Sequence, residues 1–462
     1  MVPIVTPDEM RAVDATATEA TDVLIERAGA AVARAAIRLM GGTYGRTVHV
    51  IAGKGNNGAD GRVAARLLAQ RGVRVMVHDA ADCPAVLPDA HLAIDAAYGT
   101  GFRGTWSPPD VGTMPVLAVD IPSGVDALTG EAPGPVLAAE RTVTFAALKP
   151  GLLVPPGSDL AGRVEVADIG LQTGVRERST AALVEGADVA SWVPVRSSDA
   201  HKWNAALRVV AGSPGMTGAA ALVASAAFRA GAGMVHLSAP STFVPSAPVE
   251  TVQRTLTSRE WAAEVLRTIT RFHALVVGPG LGREDGTAEQ VRALVQGAAV
   301  PAVIDGDGLF AMAWSADGAA AVLRGRSAPT VLTPHDGEYA LLHGTPVGAD
   351  RIAAARSLAH KSGCVVLLKG PATIIAAPDA PTRVVTAGDA RLATAGTGDV
   401  LAGIIGALLA CGVPAAEAAA AGAWLHGRAA MRAPDRGMVA SDIAPHLPAV
   451  LAELDHIVEV AE

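Results

Sequence analysis

The stretch Ile51–Gly61, IAGKGNNGADG, decides how the first part of this sequence folds. Gly53, Gly55 and Gly58 stand in it at the G-x-G-x-x-G spacing, after an apolar run that predicts a buried strand and before an amphipathic run that predicts a helix. This context is typical of a strand–turn–helix unit that holds the phosphates of a dinucleotide. An acidic residue, Asp79, follows about 20 positions later, as in nicotinamide dehydrogenases. The rest of the chain has to decide whether hydride transfer is the function.

The bulk composition bounds the class of protein. The 462 residues are 50% hydrophobic and 18% charged, which suits two or three domains with large cores. A net charge of −8 offers no basic surface, so we expect no nucleic-acid partner. Three cysteines fit neither a disulfide framework nor a metal pair, which favours a reducing cytoplasm. We expect no signal peptide and no membrane partner, because the long uncharged runs are broken by glycine and proline.

Alternating strand and helix patterns predict two α/β domains. Residues 1–40 are predicted to be helical, and a doubly wound parallel sheet is predicted from there to about Ile169. Its predicted strands are Thr47–Ile51, Arg74–Val77, Leu92–Asp95, Val116–Asp120 and Arg141–Phe145. The second domain has predicted strands at Leu207–Ala211, Met234–Leu237, Ala274–Val277, Ala302–Asp305, Thr330–Leu332, Val365–Lys369 and Thr373–Ala376. The polar stretch 171–204 reads as a linker, so the domains are placed at 1–180 and 181–462.

Polar and glycine-rich stretches follow four of the predicted N-terminal strands. Ligands bind at the carboxyl ends of strands in doubly wound sheets, so these stretches define one candidate site. Asn57, Asp95 and Ser123 offer hard oxygen ligands without a cluster of negative charge, which suits a monovalent cation better than magnesium or zinc. Asp120 and Lys149 are predicted to form an acid/base pair that faces the ligand. Taken singly, each aspartate could equally be a helix cap.

Three of these motifs, GNNGADG, DAAYGTGFRG and DIPSGVD, resemble the NAD(P)H-hydrate epimerase domain, the N-terminal half of YjeF-type repair proteins. The resemblance covers about residues 5–170 and has one departure, Ala59, where the family usually has glycine. It implies that Asn57, Asp95 and Ser123 bind potassium and that Asp120 contacts the reacting ring. The residues implied to hold the hydrated nucleotide are Asn56, Asn57, Gly58, Ala59, Asp60, Gly99, Thr100, Gly101, Phe102, Arg103, Gly104 and Asp120.

A second site is indicated by residues 392–410, LATAGTGDVLAGIIGALLA. The GTGD tetrapeptide opens a helix of small residues, and its outward amides are predicted to form an anion hole for a transferring phosphoryl group. The amides are those of Ala395, Gly396, Thr397 and Gly398. Asp399 can take the proton from an attacking hydroxyl, and the turn at Lys369 can hold a nucleotide phosphate. The alternative is a glycine-rich cap with no ligand.

This set resembles the ribokinase-like fold and, within it, the ADP-dependent NAD(P)H-hydrate dehydratase. The resemblance covers about residues 190–455 and is most specific at 211–233, AGSPGMTGAAALVASAAFRAGAG, and at the GTGD motif. The sequence departs from the usual pattern of this family at stretches such as HKWN (201–204) and DGDG (305–308), but not in the GTGD motif. The residues implied to line the hydrate are Ala219, Gly280, His335 and Asp399. Those implied to line the adenine nucleotide are Lys369, Gly370, Pro371, Ala372, Thr373 and Gly398.

Together, the patterns predict an α/β chain, with an N-terminal Rossmann-like doubly wound sheet followed by a C-terminal ribokinase-like α/β/α domain. The resemblances imply an isomerase and lyase that repairs hydrated NADH and NADPH (NADHX and NADPHX). It would interconvert their R and S forms and dehydrate the S form with ADP, giving AMP and phosphate. We expect K⁺ at the epimerase site, Mg²⁺ at the dehydratase site, and a cytoplasmic homo-oligomer.

Three alternatives remain at this stage. The first is a kinase of a vitamin precursor, which leaves the first domain unexplained. The second is an N-terminal domain that binds the nucleotide without catalysis. A dehydrogenase is the least favoured, because no second domain of that kind follows.

Overall fold

The computed structural model describes residues 1–257, 259–315 and 318–461. It divides the chain into two compact units, Val2–Ala182 and Leu183–Glu462. They are called the N-terminal unit and the C-terminal unit below.

The helices and strands of the described residues are numbered in chain order. The helices are α1 (Pro7–Ala15), α2 (Thr21–Met40), α3 (Asn56–Ala69), α4 (Gly157–Ala161), α5 (Gln172–Arg178), α6 (Gly186–Trp192), α7 (Thr217–Arg229), α8 (Trp261–Leu266), α9 (Asp285–Gly297), α10 (Asp307–Ala313), α11 (Ala319–Arg324), α12 (Asp336–His343), α13 (Arg351–Ser362), α14 (Thr397–Ala410), α15 (Ala415–Ala430) and α16 (Leu447–Ala461). The strands are β1 (Val2–Ile4), β2 (Thr47–Ala52), β3 (Arg74–Asp79), β4 (Leu92–Ala96), β5 (Val116–Val119), β6 (Arg141–Phe145), β7 (Arg163–Ala167), β8 (Ala181–Leu183), β9 (Ala206–Val210), β10 (Met234–Pro240), β11 (Val252–Leu256), β12 (Ala274–Val277), β13 (Ala302–Ile304), β14 (Thr330–Leu332), β15 (Val365–Leu368), β16 (Thr373–Ala377) and β17 (Ala380–Val385).

The N-terminal unit is built on a parallel sheet with the strand order β3-β2-β4-β5-β6-β7. The chain runs from β2 to β3 on one side and then returns to β4 on the other side, so the strand order reverses between β2 and β4. Doubly wound sheets bind ligands in the crevice at such a reversal. A Cβ on Gly53, which follows β2, would lie 1.9 Å from the Ala97 carbonyl oxygen, so only glycine lets the two strand ends approach this closely.

The C-terminal unit has the strand order β17-β16-β15-β14-β13-β12-β9-β10-β11. The pairs from β14–β15 through β10–β11 are parallel, and β15, β16 and β17 are antiparallel neighbours. Helix α14 is almost wholly buried and packs against α7 and α15. A Cβ on Gly403 would lie 2.3 Å from the Val223 carbonyl oxygen, which explains the small residues of this helix. The parallel strands and α14 thus place the motif loops at one edge of the sheet.

The structure corrects several local predictions. Residues 2–4 form a strand rather than a helix, and the predicted linker 171–204 holds α5, β8 and α6. Strands β7, β11 and β17 were not predicted. No helix among the described residues is long and apolar enough to cross a membrane.

Candidate active sites

A buried ion pair forms the centre of the N-terminal site. Lys149 is 2% exposed, and its Nζ donates to Asp120 Oδ1 (2.7 Å), Thr144 Oγ1 (2.8 Å) and the Phe145 carbonyl (2.9 Å). Asp120 follows β5 with a φ of 67°, a conformation that aspartate tolerates better than most residues. Its Oδ2 makes no hydrogen bond within the described residues. The two residues predicted to act as an acid/base pair are therefore in contact as an ion pair, with one carboxylate oxygen available to a ligand.

Asp60, on α3, is a second carboxyl group of this site. It is 7% exposed and makes no hydrogen bond or ion pair with any described residue. Burial, together with the negative charge of Asp120, raises the pKa of Asp60 to about 8. Asp60 therefore lies within reach of the Asp120 charge and carries a proton at neutral pH.

The residues predicted to bind K⁺ lie at the carboxyl-end edge of the same sheet, on β4, just after β5 and at the start of α3. Asp95 is fully buried, and its carboxylate accepts hydrogen bonds from the Ser123 amide (2.9 Å) and the Ser123 hydroxyl (2.6 Å). Burial raises the pKa of Asp95, and no described cationic side chain pairs with it. Asn57 Oδ1 and Nδ2 are buried without a partner in the described chain. A buried carboxylate that lacks a counter-charge and a buried amide that lacks a partner, both at this edge of the sheet, fit a monovalent cation.

The remaining predicted residues of this site lie on α3 and on the loop after β4. Asn56 and Ala59 share the first turns of α3 with Asn57, and Gly58 has no room for a Cβ, which would lie 1.9 Å from the Gly53 carbonyl oxygen. Gly99 contacts Asn57, whereas Thr100 and Gly101 lie further out on the loop. Beside that loop is a cavity of about 520 Å³, lined by Phe102, Arg103, Gly104, Gly124, Val125, Asp126, Glu131, Ala132, Pro133 and Pro156.

In the C-terminal unit, Lys369 is the centre of a charged cluster. Its Nζ lies 2.8 Å from Asp305 Oδ1 and 3.9 Å from Glu338 Oε2. Asp305 follows β13, is 3% exposed, and also accepts a hydrogen bond from Thr333 Oγ1 (2.7 Å). Burial opposes the charge of Lys369, but the two carboxylates outweigh it and raise the pKa of Lys369. The Lys369 ammonium is therefore charged, and its contacts with Asp305 and Glu338 hold it in place.

The GTGD turn lies against this lysine. Gly396 is the N-cap of α14 with a φ of 90°, and a Cβ there would lie 2.7 Å from Leu222 Cδ1. A Cβ on Gly398 would lie 3.3 Å from Lys369 Nζ. The Thr397 amide already donates to the Thr394 carbonyl (3.3 Å). The amides of Ala395, Gly396 and Gly398 have no acceptor in the described chain. Three of the four predicted anion-hole amides are therefore free to bind an anion.

Replacing Gly398 by alanine tests this contact. The methyl group would lie 3.3 Å from Lys369 Nζ and 3.7 Å from Asp305 Oδ2, so the ammonium has to move away from the turn. At 3.3 Å the ammonium has to move by a few tenths of an ångström. Because a misplacement of about 1 Å can cost about 10²-fold in rate, we expect a smaller, several-fold loss in ADP-dependent turnover. The melting temperature should not fall, because alanine favours helix. Unchanged turnover would contradict this placement of Lys369.

Asp399, the next residue on α14, has the properties of a general base. Burial and the negative charges of Asp305 and Asp307 raise its pKa to about 7, although the Lys369 charge opposes the shift. A base works best when its pKa lies near the working pH. The carboxylate therefore exists at neutral pH and is still basic enough to take a proton.

The other predicted residues are arranged around the same edge of the sheet. His335 caps α12: its Nδ1 accepts from the Gly337 and Glu338 amides, which leaves the exposed Nε2 as the hydrogen-bond donor. A Cβ on Gly280 would lie 2.9 Å from Ala219 Cβ, so these two residues are neighbours. The turn of Lys369, Gly370, Pro371, Ala372 and Thr373 connects β15 to β16, and its Lys369 carbonyl accepts a hydrogen bond from Arg351 (2.7 Å).

The sequence did not predict the residues that contact and position the predicted site residues. Asp305 lies in the DGDG stretch noted above, and Glu338 lies three residues after His335, but neither was given a role. Thr144 gave no signal, because a threonine inside a strand is ordinary. His426, on α15, is buried, and burial and the Lys369 charge lower its pKa to about 4. Its Nε2 has no hydrogen-bond partner among the residues described.

The two sites define an α/β enzyme with two nucleotide-handling units, one built for acid/base chemistry and the other for phosphoryl transfer. Comparison with known proteins agrees. A family model described as NAD(P)H-hydrate dehydratase matches residues 207–451, and one described as YjeF-related protein N-terminus matches residues 21–91 and 78–151. The chain belongs to the family of bifunctional NAD(P)H-hydrate repair enzymes.

Individual relatives support this assignment. The chain is 36% identical to the bifunctional NAD(P)H-hydrate repair enzyme Nnr of Moorella thermoacetica, over 95% of this chain and 93% of that protein. It is 38% identical to the Mycobacterium leprae enzyme of the same name, over 94% and 95% of the two chains. The crystal structure of the ADP/ATP-dependent NAD(P)H-hydrate dehydratase of Bacillus subtilis, co-crystallised with ATP and Mg²⁺, matches with a TM-score of 0.51 and 26% identity, over 58% of this chain and 97% of that one. These matches confirm the predicted family and the predicted ribokinase-like fold.

Proposed function

We propose that this chain repairs NADHX and NADPHX in two steps, epimerisation in the N-terminal unit and ADP-dependent dehydration in the C-terminal unit. The observation that carries the proposal is the placement of Lys369, the free amides of the GTGD turn and the basic Asp399 at one end of α14. This combination suits transfer of a phosphoryl group to a hydroxyl. No dehydrogenase activity is proposed.

In the epimerase step, the reacting carbon carries a hydroxyl group next to the ring nitrogen. The nitrogen lone pair can expel this hydroxyl as water if an acid supplies a proton. Water then adds to the opposite face of the resulting iminium and loses a proton to a base, so water leaves and returns with no net change. Protonated Asp60 supplies the acid, and Asp120, held by Lys149, supplies the base. Return of the proton from Asp120 to Asp60, whose charges interact, restores both groups for the next turnover.

In the dehydratase step, the hydroxyl oxygen of the S form attacks the terminal phosphorus of ADP. Asp399 takes the proton of this hydroxyl during the attack. The bond to AMP breaks, and the free amides of the GTGD turn together with Lys369 stabilise the charge on the transferring group. The ring nitrogen lone pair then expels phosphate, and loss of a proton from the neighbouring ring carbon restores NADH or NADPH. The products are the reduced nucleotide, AMP and phosphate in equal amounts.

The products test the dehydratase proposal directly. The protein is incubated with pure S-form hydrate, ADP and Mg²⁺, and the phosphorus compounds are followed by ³¹P NMR. Equal amounts of AMP, phosphate and reduced nucleotide are expected. A stable phosphorylated product would instead support a kinase of a small alcohol.

Metal ions enter the proposal differently at the two sites. K⁺ would be held by Asn57, Asp95 and Ser123, where it supplies the positive charge that Asp95 lacks. In the described residues no group of three His, Cys, Asp or Glu side chains could hold a metal ion. Mg²⁺ would therefore arrive with the nucleotide, as a counter-charge to the phosphates. A cytoplasmic location and a homo-oligomeric state are part of the proposal.

Potassium removal gives a prediction for Asn57. We expect Asn57→Ala to raise the K⁺ concentration that half-maximal epimerase activity requires, because the buried amide oxygen is lost. The measurement is a titration with KCl at constant ionic strength, with choline as the replacement cation. Ser158→Ala, on the short helix α4, is the control and should leave the titration unchanged. An identical titration in wild type and Asn57→Ala would contradict the potassium site.

The two activities are expected to change with pH in opposite directions. A base works when deprotonated, so dehydratase kcat should rise as pH increases through about 7, where Asp399 loses its proton. An acid works when protonated, so epimerase kcat should fall as pH increases through about 8, where Asp60 loses its proton. Separate pH profiles on the S form and the R form measure both effects. Parallel profiles would contradict these two roles.

A further inference from the structure

Asp305 joins the parts of the dehydratase site. It follows β13, and its Oδ1 accepts hydrogen bonds from both Lys369 Nζ (2.8 Å) and Thr333 Oγ1 (2.7 Å). Its Oδ2 lies 3.7 Å from the position that a Cβ on Gly398 would occupy. One nearly inaccessible carboxylate therefore contacts the lysine and borders the turn that precedes Asp399.

The charges around Asp399 single out Asp305. The charged groups that act on Asp399 are Asp305, Asp307 and Lys369. Asp307 is paired with Arg283 (2.9 Å) and accepts the Gly282 amide (2.9 Å), so its charge is largely compensated. Asp305 is more deeply buried, and the one cation that pairs with it among the described residues, Lys369, also contacts Glu338. Its negative charge therefore acts on Asp399 most strongly.

We propose that Asp305 is a positioning residue of the dehydratase, which holds the Lys369 ammonium at the GTGD turn and, by its negative charge, strengthens Asp399 as a base. This inference rests on the proposed role of Asp399. It makes two parameters depend on one carboxylate: the KM for ADP, through Lys369, and the pH at which Asp399 becomes active. A purely structural role, in which Asp305 only connects β13 to Thr333, predicts neither effect.

Asp305→Asn tests the proposal, because asparagine keeps the shape and can still accept the Thr333 hydroxyl but has no charge. The full chain is assayed with pure S-form hydrate from pH 5.5 to 9, at several ADP concentrations. A neighbouring negative charge disfavours ionisation of a carboxyl group and so raises its pKa. Without that charge, we expect the pH at which dehydratase kcat rises to move lower by about one unit, the usual scale of pKa shifts in proteins, and the KM for ADP to rise several-fold. The epimerase activity of the same chain should stay unchanged. The proposal would be overturned if both the pH at which dehydratase kcat rises and the KM for ADP matched those of the wild type.

Thr333→Val is the matched control. It removes the hydroxyl that contacts Asp305 but leaves every charge in place, so the pH at which dehydratase kcat rises should keep its wild-type value. A shift equal to that of Asp305→Asn would mean that packing causes the effect, and the proposal would fail. If Asp305→Asn does not fold, Asp305→Glu keeps the charge at a displaced position. The pH at which dehydratase kcat rises should then stay near the wild-type value while the KM for ADP rises. A shifted pH with an unchanged KM would overturn the proposal.

Asp399→Asn, assayed in parallel, separates this inference from the function on which it rests. Wild-type turnover in Asp399→Asn would show that Asp399 is not the base, and the inference would fall with it. Loss of turnover in Asp399→Asn, combined with an unchanged pH dependence in Asp305→Asn, would leave the proposed function in place and overturn the role of Asp305 alone.

Discussion

Asp399→Asn is expected to lower dehydratase kcat by about 10²–10⁴-fold, the usual contribution of a general base, while epimerase activity stays at the wild-type level. Asparagine has the same shape but cannot take the hydroxyl proton. The measurement is ADP-dependent recovery of reduced nucleotide from pure S-form hydrate at saturating ADP. The epimerase assay on the same preparation shows whether the chain is folded.

The same substitution has an expected effect on stability. Because the pKa of Asp399 is raised from its ordinary value of 3.8 to about 7, ionisation of Asp399 costs stability progressively as the pH rises between these values and in full above about 7. A neutral asparagine removes this cost, so the melting temperature at pH 8 should stay equal or rise. A catalytic loss accompanied by a lower melting temperature would mean that Asp399 maintains the structure of α14, and its role as a base would lose support.

Asp120→Asn is expected to abolish epimerisation, with a loss of about 10²–10⁴-fold, and to spare dehydration of the S form. Asparagine tolerates the positive φ of this position, so the backbone should not change. The buried ammonium of Lys149 would lose its carboxylate, and leaving one buried charge unpaired typically costs about 3–5 kcal/mol. We therefore expect lower thermal stability as well, measured by calorimetry.

A double variant separates these two effects. Adding Lys149→Met to Asp120→Asn removes the unpaired charge and should restore most of the lost stability. Epimerase activity should remain absent, because the proposed base, Asp120, is still missing. Recovery of activity in the double variant would show that the loss in Asp120→Asn came from instability, and the proposed role of Asp120 in catalysis would be wrong.

The glycine motifs explain why so much of the first site could be predicted. The spacing of Gly53 and Gly58 requires a strand, a tight turn and a helix, and the structure has β2 and α3 there. Asp120 and Lys149 were also predicted to share one site, because both residues follow predicted parallel strands whose ends meet at one edge of the sheet, but their ion pair was not predicted. Local patterns suffice where the chemistry lies at strand ends.

The strands that were not predicted, such as β11 and β17, lack a clear local sequence pattern. Strand β11, VQRTL, is the last strand of its sheet and has several exposed residues, so it lacks the apolar run that marks a buried strand. Strand β17 begins with Ala380, Pro381 and Thr382, which reads as a turn. Their pairing comes from the neighbouring strands rather than from their own sequence.

The supporting residues of the sites could not be predicted for a related reason. Asp305 contacts Lys369 across 64 positions of the chain, and Thr333 contacts Asp305 across 28. No local pattern reports which carboxylate of DGDG turns inward. The raised pKa of Asp399 likewise depends on burial, which only the assembled fold provides.

The central claim is that one chain carries both activities, and a single progress curve tests it most directly. The protein is mixed with an R/S mixture of NADHX, K⁺, Mg²⁺ and ADP, and the absorbance of the reduced nicotinamide is followed. We predict complete, ADP-dependent conversion of both forms, faster than spontaneous epimerisation. A curve that stops near the S fraction would mean that the N-terminal unit binds without epimerising. No conversion with ADP would contradict the claim altogether.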